Sequence, residues 1–397
     1  PMATSCYRNA QGYQIPEESV ARLDHKWYTD NIAVYATACS PGCVAGCSGW
    51  YRIEGDESPG AKKYASEWGT KPEYGGLCPF GAGCDVRDLA VVSQLKERCN
   101  RYGMDTFEVG LVIAFLMELW ERGIINENDI VDLTGVPLSL EWGNYEAIEK
   151  IIDEIALQRT RLGDILRKGV YNAAHTISEL KGVDVLKYAN YGKAGATHEN
   201  SVKTWPALAM ACAVASVGAS HLKGLGLNNP ETAKRYLGQP TAMEMLSTEM
   251  KGPGHAVSEN LMAVTNSLGL CIFLANEPSR VSHELLCRGL YAAMGVQLTP
   301  EELYTAGERV VNIQKAFNSR LGYMRKDDTL CHRWMNEPQI EGLAKGIKAV
   351  DYLESMKDEY YEWHGWAKDT SLQTRGKLAE LDLMDVAEVL EKENVIA

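Results

Sequence analysis

The chain has 397 residues, of which 45% are hydrophobic, and a formal net charge of −13. This length suits two or three domains or one large one, and the acidic balance disfavours nucleic-acid binding, which needs a basic surface. No stretch has the roughly 18 apolar residues of a membrane span, and no secretory signal is evident at the N-terminus. Eleven cysteines without such a signal indicate reduced thiols and metal binding rather than disulfides. We therefore expect a cytoplasmic protein from an anaerobic cell in which exposed metal clusters survive.

The first 35 residues show no clear periodicity. They are predicted to be an extended lead-in rather than the start of a domain, which we interpret as a sign of a missing preceding domain. Residues 48–84 are rich in Gly and Pro, and they are predicted to be a long loop or the lining of a site.

Three cysteines, Cys39, Cys43 and Cys47, lie close together between these two segments. On a continuous helix they would share one face, but Pro41 and Gly42 disfavour such a helix. A loop can fold the first thiol back, while the other two sit one turn apart at the start of a helix. Three close cysteines with one distant cysteine are a common ligand set for an iron–sulfur cluster. A zinc site and three unrelated buried thiols are the alternatives.

The rest of the chain is predicted to be helical. From Asp85 onward apolar residues recur at helical spacing, and Gly103 is predicted to end the first helix. Thr299 before Pro300 is a helix-start signature. Alternating runs of β-branched residues are almost absent, so we predict an all-α chain, with the loop-rich interval 182–205 as a domain boundary. The further predicted helices are Phe107–Arg122, Asn144–Thr160, Leu162–Tyr171, Pro206–Leu222, Pro240–Thr248, Ser258–Cys271, Ser282–Met294, Pro300–Leu321, Tyr352–Trp363 and Leu383–Lys392.

Several separated motifs occur in a specific order along most of the chain. They are the cysteine cluster, CNRYGMD at 99–105, GLC at 269–271, AFNSR at 316–320 with RKDDTL at 325–330, and YYEWHGW at 360–366. Each motif is weak alone. Together they resemble the C-terminal two-thirds of tungsten-containing aldehyde ferredoxin oxidoreductases, a family related to the catalytic subunit of class II benzoyl-CoA reductase.

The resemblance implies a fold of two helical domains without the family's β-rich N-terminal domain. Residues 1–182 would carry the cysteine cluster and the first pterin motif, and residues 183–397 would carry the second pterin motif. A tungsten (or molybdenum) bis-pterin cofactor lies between the N-terminal domain and the helical pair in the family. A separate subunit or fragment would therefore supply the missing domain.

The resemblance also implies the cluster ligands. In the family, three clustered cysteines and the cysteine of the later Gly-Leu-Cys motif bind one [4Fe–4S] cluster. The matching residues here are Cys39, Cys43, Cys47 and Cys271. The family spacing of the first pair is C-x2-C, whereas this chain has C-x3-C, and the loop with the Pro-Gly pair can absorb the extra residue.

Two motifs that bind pterin in the family follow the pattern D-x-x-G-L-C/D. The matching residues here are Asn100, Gly103, Asp105, Asn266, Gly269 and Leu270. Both leading aspartates are replaced by asparagine, which is neutral and offers one acceptor and two donors. Pterin binding stays plausible without the two charges. The alternative is that both asparagines only end helices.

The candidate catalytic residues are Glu73 and His221. Aldehyde-oxidising members carry G-P-E-Y-E, and the aligned stretch here keeps Glu73 but has Gly75 in place of the catalytic Glu. Cys78 lies close by and is a candidate tungsten ligand, because the related benzoyl-CoA reductase subunit has a cysteine near this point; a packed thiol is the alternative. His221 matches the family's active-site histidine and can donate a hydrogen bond or shuttle a proton, although it could also be a core histidine.

The resemblance favours aldehyde/carboxylic acid interconversion, with electrons relayed through the [4Fe–4S] cluster to ferredoxin. A low-potential reductase of an aromatic or acyl-CoA thioester is one alternative, and a non-catalytic electron-transfer subunit is another. The expected partners are the N-terminal-domain subunit and a ferredoxin or ferredoxin-like iron–sulfur subunit, and a homo-oligomer is also compatible with the sequence.

Overall fold

The computed structural model describes residues 7–12, 15–17, 30, 32–43, 45–54, 58–193, 195–197, 202–227, 230–239, 246–272 and 281–397. Over these residues the chain is mostly helical, as predicted, with two small antiparallel sheets. No helix among the described residues is long and apolar enough to cross a membrane.

The chain divides into two compact units. The first contains the described residues of Pro1–Ser201 together with Cys331–Arg333, and the second contains those of Val202–Leu330 and Trp334–Ala397. The predicted separate domains 1–182 and 183–397 stay a prediction.

The first unit contains three strands that the sequence analysis did not predict. These are β1 (Ile32–Thr37), β2 (Ser48–Ile53) and β3 (Trp68–Thr70), which pair antiparallel in that order. Ile32 lies opposite Ile53, and Thr37 lies opposite Ser48. Strand β2 alternates between buried and less buried residues, which is the pattern of a half-buried strand. These strands are too short for the pattern to stand out against the many Gly and Pro residues around them.

Helices form most of the first unit, and their apolar faces enclose one core. The core includes Leu95, Ile113, Phe115, Ile148, Ile152 and Ala173. The helices are α1 (Pro59–Lys63), α2 (Tyr74–Leu77), α3 (Leu89–Tyr102), α4 (Thr106–Glu121), α5 (Glu127–Thr134), α6 (Tyr145–Leu157), α7 (Arg161–Leu166) and α8 (Gly169–Lys181), with a π-helix at Pro79–Gly83, a 3₁₀ turn at Leu186–Tyr188, and strands β4 (Tyr191–Gly192) and β5 (Gly195–Ala196).

The second unit is also built from helices. They are α9 (Pro206–Val214), α10 (Pro230–Leu237), α11 (Lys251–Ser267), α12 (His283–Met294), α13 (Pro300–Arg320), α15 (Leu353–His364), α16 (Arg375–Glu380) and α17 (Met384–Lys392), with 3₁₀ turns at Val202–Thr204, His221–Lys223, Arg325–Asp327 and Ala349–Asp351; helix α14 (His332–Asn336) begins among the residues assigned to the first unit. Helix α11 packs between α13 and α15. Its approach to α13 is close, because a Cβ on Gly307 would lie 2.1 Å from the carbonyl oxygen of Asn260.

Local signals account for the helix ends that were predicted well. Helix α13 begins at the predicted Thr299–Pro300 pair, where Thr299 Oγ1 accepts from the Glu302 amide and Glu302 accepts from the Thr299 amide. Such a capping box satisfies two amides that have no partner within the helix.

Four predicted helices differ from the structure. The single helix predicted at Leu162–Tyr171 is two helices, α7 and α8, which are separated by the turn at Arg167 and Lys168. The helix predicted at Pro206–Leu222 ends at Val214. The prediction was too long because the apolar run continues past the helix, so hydrophobicity does not mark the helix end. The helix predicted at Ser258–Cys271 begins earlier, at Lys251, since Pro253 lies in the first turn, where its missing N–H is tolerated. Residues 240–245 of the predicted helix Pro240–Thr248 lie outside the described residues, and residues 246–248 are not helical.

A buried ion pair joins distant parts of the chain within the first unit. The Arg333 guanidinium donates to both carboxylate oxygens of Glu118, with Nη2–Oε1 at 2.7 Å and Nη1–Oε2 at 3.0 Å. The side chains are 2% and 0% exposed. Asn9 Nδ2 also donates to Glu118 Oε2 at 2.6 Å, and the Asn9 carbonyl accepts from Arg333 Nη1. This network holds residue 9, helix α4 and the start of α14 together.

We expect Arg333→Met to lower the free energy of unfolding by about 3 kcal/mol, because it leaves the buried Glu118 carboxylate without its main counter-charge. Arg122 Nε, which donates to Glu118 Oε1 at 2.9 Å, limits the loss. Urea unfolding measures the change.

The matched control is Arg320→Met. Arg320 forms the same two-bond contact with Glu393, at 2.8 and 2.7 Å, but both side chains are substantially exposed. We expect a loss of about 0.5 kcal/mol or less. Equal losses in the two variants would show that burial does not set the strength of the Glu118–Arg333 pair.

Candidate functional site

The three clustered cysteines lie in the loop that connects β1 to β2. The Cys43 amide donates to the Ser40 carbonyl at 3.3 Å, which closes a turn with Pro41 and Gly42 at its centre. Gly42 has φ of 78°, as a type II turn requires at this position. The extra residue between Cys39 and Cys43 therefore lies in a tight turn. The predicted helix start at Cys43 and Cys47 is wrong, since both cysteines are in the loop.

The chemistry of this loop fits an iron–sulfur cluster. Cys39 is exposed, Cys43 and Cys47 are half-buried, and none of the three is in a disulfide. Thiolates are the ligands that iron–sulfur clusters use. Among the described residues, no three His, Cys, Asp or Glu side chains lie close enough together to hold a metal ion. Binding would therefore require the thiols of this open loop to turn toward one point. Cys271, the fourth predicted ligand, is an exposed residue of the second unit.

Both pterin motifs take the same backbone form at the end of a helix. At the end of α3, the Gly103 amide donates to the Asn100 carbonyl and the Met104 amide donates to the Cys99 carbonyl. At the end of α11, the Gly269 amide donates to the Asn266 carbonyl and the Leu270 amide to the Thr265 carbonyl. Both glycines are left-handed, with φ of 69° and 66°. Each motif is thus a glycine-terminated helix, and the glycines are explained without any ligand.

Polar side chains near the end of α3, in and before the first motif, contact strand β3. Asn100 Nδ2 donates to Thr70 Oγ1 at 2.8 Å, and Lys96 Nζ donates to the same oxygen at 2.6 Å. Glu97 Oε2 accepts from the Thr70 amide at 3.1 Å. Asp105 accepts from the Glu108 amide at 2.8 Å as the N-cap of α4. These side chains are engaged within the chain, and they fix the end of α3 against the sheet.

The second motif lies beside a cavity of about 210 Å³ within the second unit. Asn266, Glu259, Gln314 and Lys223 line it, together with Ala263, Ser267, Val310 and Val311. Leu270, the following predicted pterin residue, is exposed. Sequence reasoning missed Glu259, because it precedes the motif, although it lies on the same helix as Asn266.

The two candidate residues of the 73–78 segment differ in exposure. Glu73 is exposed, and its carbonyl accepts from the amides of Gly76 and Leu77 at the start of α2. Burial lowers the pKa of Lys96, and the charges of Glu97 and Glu73 oppose this shift, so the Glu73 carboxylate lies within electrostatic range of that amine. Cys78 is only 2% exposed and precedes the π-helix.

His221 begins a short 3₁₀ turn, His221–Lys223, in which the Leu222 amide donates to Ser220 Oγ. The side chain is half-buried. Burial lowers the pKa of His221 below its usual value, so the ring is neutral near pH 7. A neutral imidazole can donate a hydrogen bond from one nitrogen and accept a proton at the other.

Comparison with known proteins gives the family. A family model described as "Aldehyde ferredoxin oxidoreductase, domains 2 & 3" matches residues 2–383. The chain belongs to this family, and the match is to its second and third domains.

The curated relatives are longer proteins. The tungsten-containing aldehyde ferredoxin oxidoreductase of Pyrococcus horikoshii is 31% identical over 317 residues, which are 79% of this chain and 48% of the relative. That of Thermococcus kodakarensis is 28% identical over 319 residues. The aliphatic sulfonate oxidoreductase, WOR-like subunit, of Pyrococcus furiosus is 26% identical over 327 residues. The chain therefore spans about half the length of the curated relatives that it matches.

The fold also resembles that of a solved structure. A chain of the active-site complex BamBC of benzoyl coenzyme A reductase, in complex with 1,5-dienoyl-CoA, superposes with a TM-score of 0.76 at 19% identity. The match covers 100% of this chain and 60% of that one.

We expect Cys43→Ala to lower the iron content of the anaerobically purified protein, because it removes one of three adjacent thiolate ligands. Iron analysis and the visible absorption spectrum measure the loss. Cys287→Ala is the control, since Cys287 is a buried residue of α12 and should keep the iron. A Cys43→Ala protein with unchanged iron and an unchanged spectrum would refute the cluster assignment.

Proposed function

We propose that this member of the aldehyde ferredoxin oxidoreductase family is the helical part of a tungsten (or molybdenum) bis-pterin oxidoreductase. Its reaction would be the interconversion of an aldehyde and a carboxylic acid. The observation that carries the proposal is the family match over residues 2–383, a span that includes the four cluster cysteines, both pterin motifs and His221.

The cysteines and the helix-end motifs would bind different cofactors. Cys39, Cys43, Cys47 and Cys271 would hold a [4Fe–4S] cluster, and the two helix-end motifs would hold the pterins. Oxidation of an aldehyde with water to the acid releases two electrons and two protons; the bound metal–pterin group would supply the two-electron chemistry, and the cluster would pass the electrons on one at a time.

His221 would handle the substrate oxygen and a proton. Because its pKa is lowered by burial, the ring is neutral at the pH of most cytoplasms. It can therefore donate a hydrogen bond to a carbonyl oxygen or accept a released proton, but it does not place a fixed positive charge in the site.

The proposal includes partners. The chain spans about half of its relatives' length, and the working assembly would include the polypeptide segment or subunit that carries the N-terminal domain. The name of one relative, a WOR-like subunit, supports an assembly of several chains. A ferredoxin or ferredoxin-like subunit would take the electrons in the cytoplasm.

Gly75 weakens the proposal of aldehyde oxidation without establishing another reaction. It occupies the position of the family's catalytic carboxylate, so this chain offers no acid/base group there. Low-potential reduction of an aromatic or acyl-CoA thioester is therefore the alternative reaction of the same site, and Glu73 and Cys78 are the residues of this segment that would contribute to either one.

We expect about one tungsten or molybdenum per [4Fe–4S] cluster when the chain is purified anaerobically with its N-terminal-domain partner. Elemental analysis of the assembly measures this ratio. Aldehyde-dependent reduction of a low-potential dye would then support the first reaction, whereas thioester reduction by the prereduced assembly without aldehyde activity would support the second. Iron without tungsten or molybdenum would contradict both and leave an electron-transfer subunit.

We expect His221→Asn to cut turnover by about 100-fold, the scale of one general acid–base group, while the metal content stays the same. In the native assembly, the loss of activity from protonation of His221 should occur only below pH ~6.5, the ordinary histidine value, because burial lowers the pKa. Turnover against pH for both proteins tests this. An unchanged rate in His221→Asn would remove this residue from the catalytic set.

A further inference from the structure

The Lys96 side chain lies beside the segment that contains Gly75. Helix α2 packs on α3, and a Cβ on Gly76 would lie 3.4 Å from Lys96 Cγ and 3.6 Å from Lys96 Cε. The methylene stem of this lysine therefore runs along Gly76, the residue that follows Gly75. Glu73, on the other side of Gly75 in the sequence, is close enough for its charge to act on the Lys96 amine. A cationic group thus lies next to the position that lacks a carboxylate.

Thr70, at the end of β3, holds this amine. Lys96 Nζ donates to the Thr70 carbonyl at 3.1 Å and to Thr70 Oγ1 at 2.6 Å. Within the described part of the chain, these contacts use two of the three N–H donors of the ammonium. Asn100 Nδ2 donates to the same hydroxyl oxygen at 2.8 Å. One oxygen therefore connects the lysine to the first pterin motif.

The charges around Lys96 come from two carboxylates. Burial lowers the pKa of Lys96, and the charges of Glu97 and Glu73 oppose this shift. Glu97 lies on α3 itself and Glu73 precedes α2, whereas the packed strand β3 has the sequence WGT and carries no charged side chain. Lysine shifts its pKa readily when it is buried. A lowered pKa brings proton exchange closer to neutral pH, as general acid–base catalysis needs.

We propose that Lys96 is the proton donor for the segment around Gly75, in place of a carboxylate at that position. This inference rests on the proposed function, since it requires a substrate at this segment.

The proton balance follows from the reaction. Reduction of a carboxylic acid to an aldehyde and water takes up two electrons, which the ferredoxin-type donor supplies, and two protons. One proton enters the aldehyde C–H bond. Lys96 Nζ gives the other to the oxygen that leaves as water, and the resulting neutral amine takes up a proton from solvent. Reduction therefore uses the ammonium, whereas aldehyde oxidation uses the neutral amine.

The first experiment measures the Lys96 amine directly and needs no turnover. The full chain is labelled with ¹³C-lysine and titrated by NMR, and Lys96→Arg identifies the signal. We expect a pKa below ~10.4, the ordinary lysine value. We expect a still lower pKa in Glu73→Gln, because that variant removes a carboxylate that raises it. A Lys96 pKa at or above the ordinary value, or one that Glu73→Gln leaves unchanged, would overturn the inference.

The second experiment measures turnover against pH in the anaerobic assembly, in both directions. We expect acid reduction to fall and aldehyde oxidation to rise as the pH increases through the Lys96 pKa, and both transitions to move to lower pH in Glu73→Gln. A lysine that only connects β3 to α3 would produce neither effect. Transitions that stay at the native pH in Glu73→Gln would contradict a proton-donor role.

Lys96→Arg tests the same role by keeping the charge. A guanidinium loses its proton only above pH ~12, so we expect turnover about 100-fold lower in each direction, the scale of one general acid–base group. Unchanged turnover would refute the proposal. If this variant does not fold, the transitions in Glu73→Gln decide.

The matched control is Lys181→Arg. Lys181 is another half-buried lysine of the first unit, and its Nζ donates to both carboxylate oxygens of Asp129 at 2.8 and 2.9 Å. It lies at the end of α8, and its exchange should change neither turnover nor the transitions. An assembly without tungsten or molybdenum would instead contradict the proposed function, whatever the Lys96 pKa.

Discussion

The first unit depends on one buried charge pair. Glu118 and Arg333 are 215 positions apart in the chain, and both are almost fully excluded from solvent. Burying either charge alone would cost several kcal/mol, so removing one partner of the pair should destabilise this unit. The two parallel N–H···O contacts align the pair, and Asn9 and Arg122 also donate to the Glu118 carboxylate. The assignment of Cys331–Arg333 to the first unit agrees with this pairing.

The long sequence separation of this pair illustrates which parts of the fold can be predicted from the sequence and which cannot. Helices α3 and α13 follow from local signals. An apolar period and the stop at Gly103 define α3, and the Thr299–Pro300 start with its capping box defines α13. No local sequence signal predicts that Cys331–Arg333 belongs to the first unit. Arg333 looks like any other charged residue of a short helix, and only the folded chain brings it to Glu118. The β1–β2 hairpin was missed for a related reason, since its ten-residue connection is longer than the short turns that identify hairpins.

The sequence predicted the two glycine-containing motifs but not the cavity-lining side chains beside the second one. Gly103 and Gly269 have the same hydrogen-bond pattern in the two motifs, but Gly123 and Gly365 end other helices of this chain with that pattern too. The motif glycines therefore specify a helix end and carry little information about a ligand. Information about a ligand comes instead from the side chains around the helix end. At the second motif these include Glu259 and Lys223, which both precede the motif in the sequence. A motif search finds the turn and misses the cavity.

The departures from the family pattern do not have equal weight. The extra residue between Cys39 and Cys43 lies in a Pro-Gly turn within a hairpin loop, so the paired strands keep their register, with Thr37 opposite Ser48, whatever the loop length. An inserted residue here lengthens the connection without moving the strands, because all three cysteines lie outside β1 and β2. Gly75 is a different case, because no backbone adjustment replaces a missing carboxylate. The proposed cluster site therefore depends on a loop that accepts an insertion, whereas the proposed reaction depends on the side chains that surround Gly75.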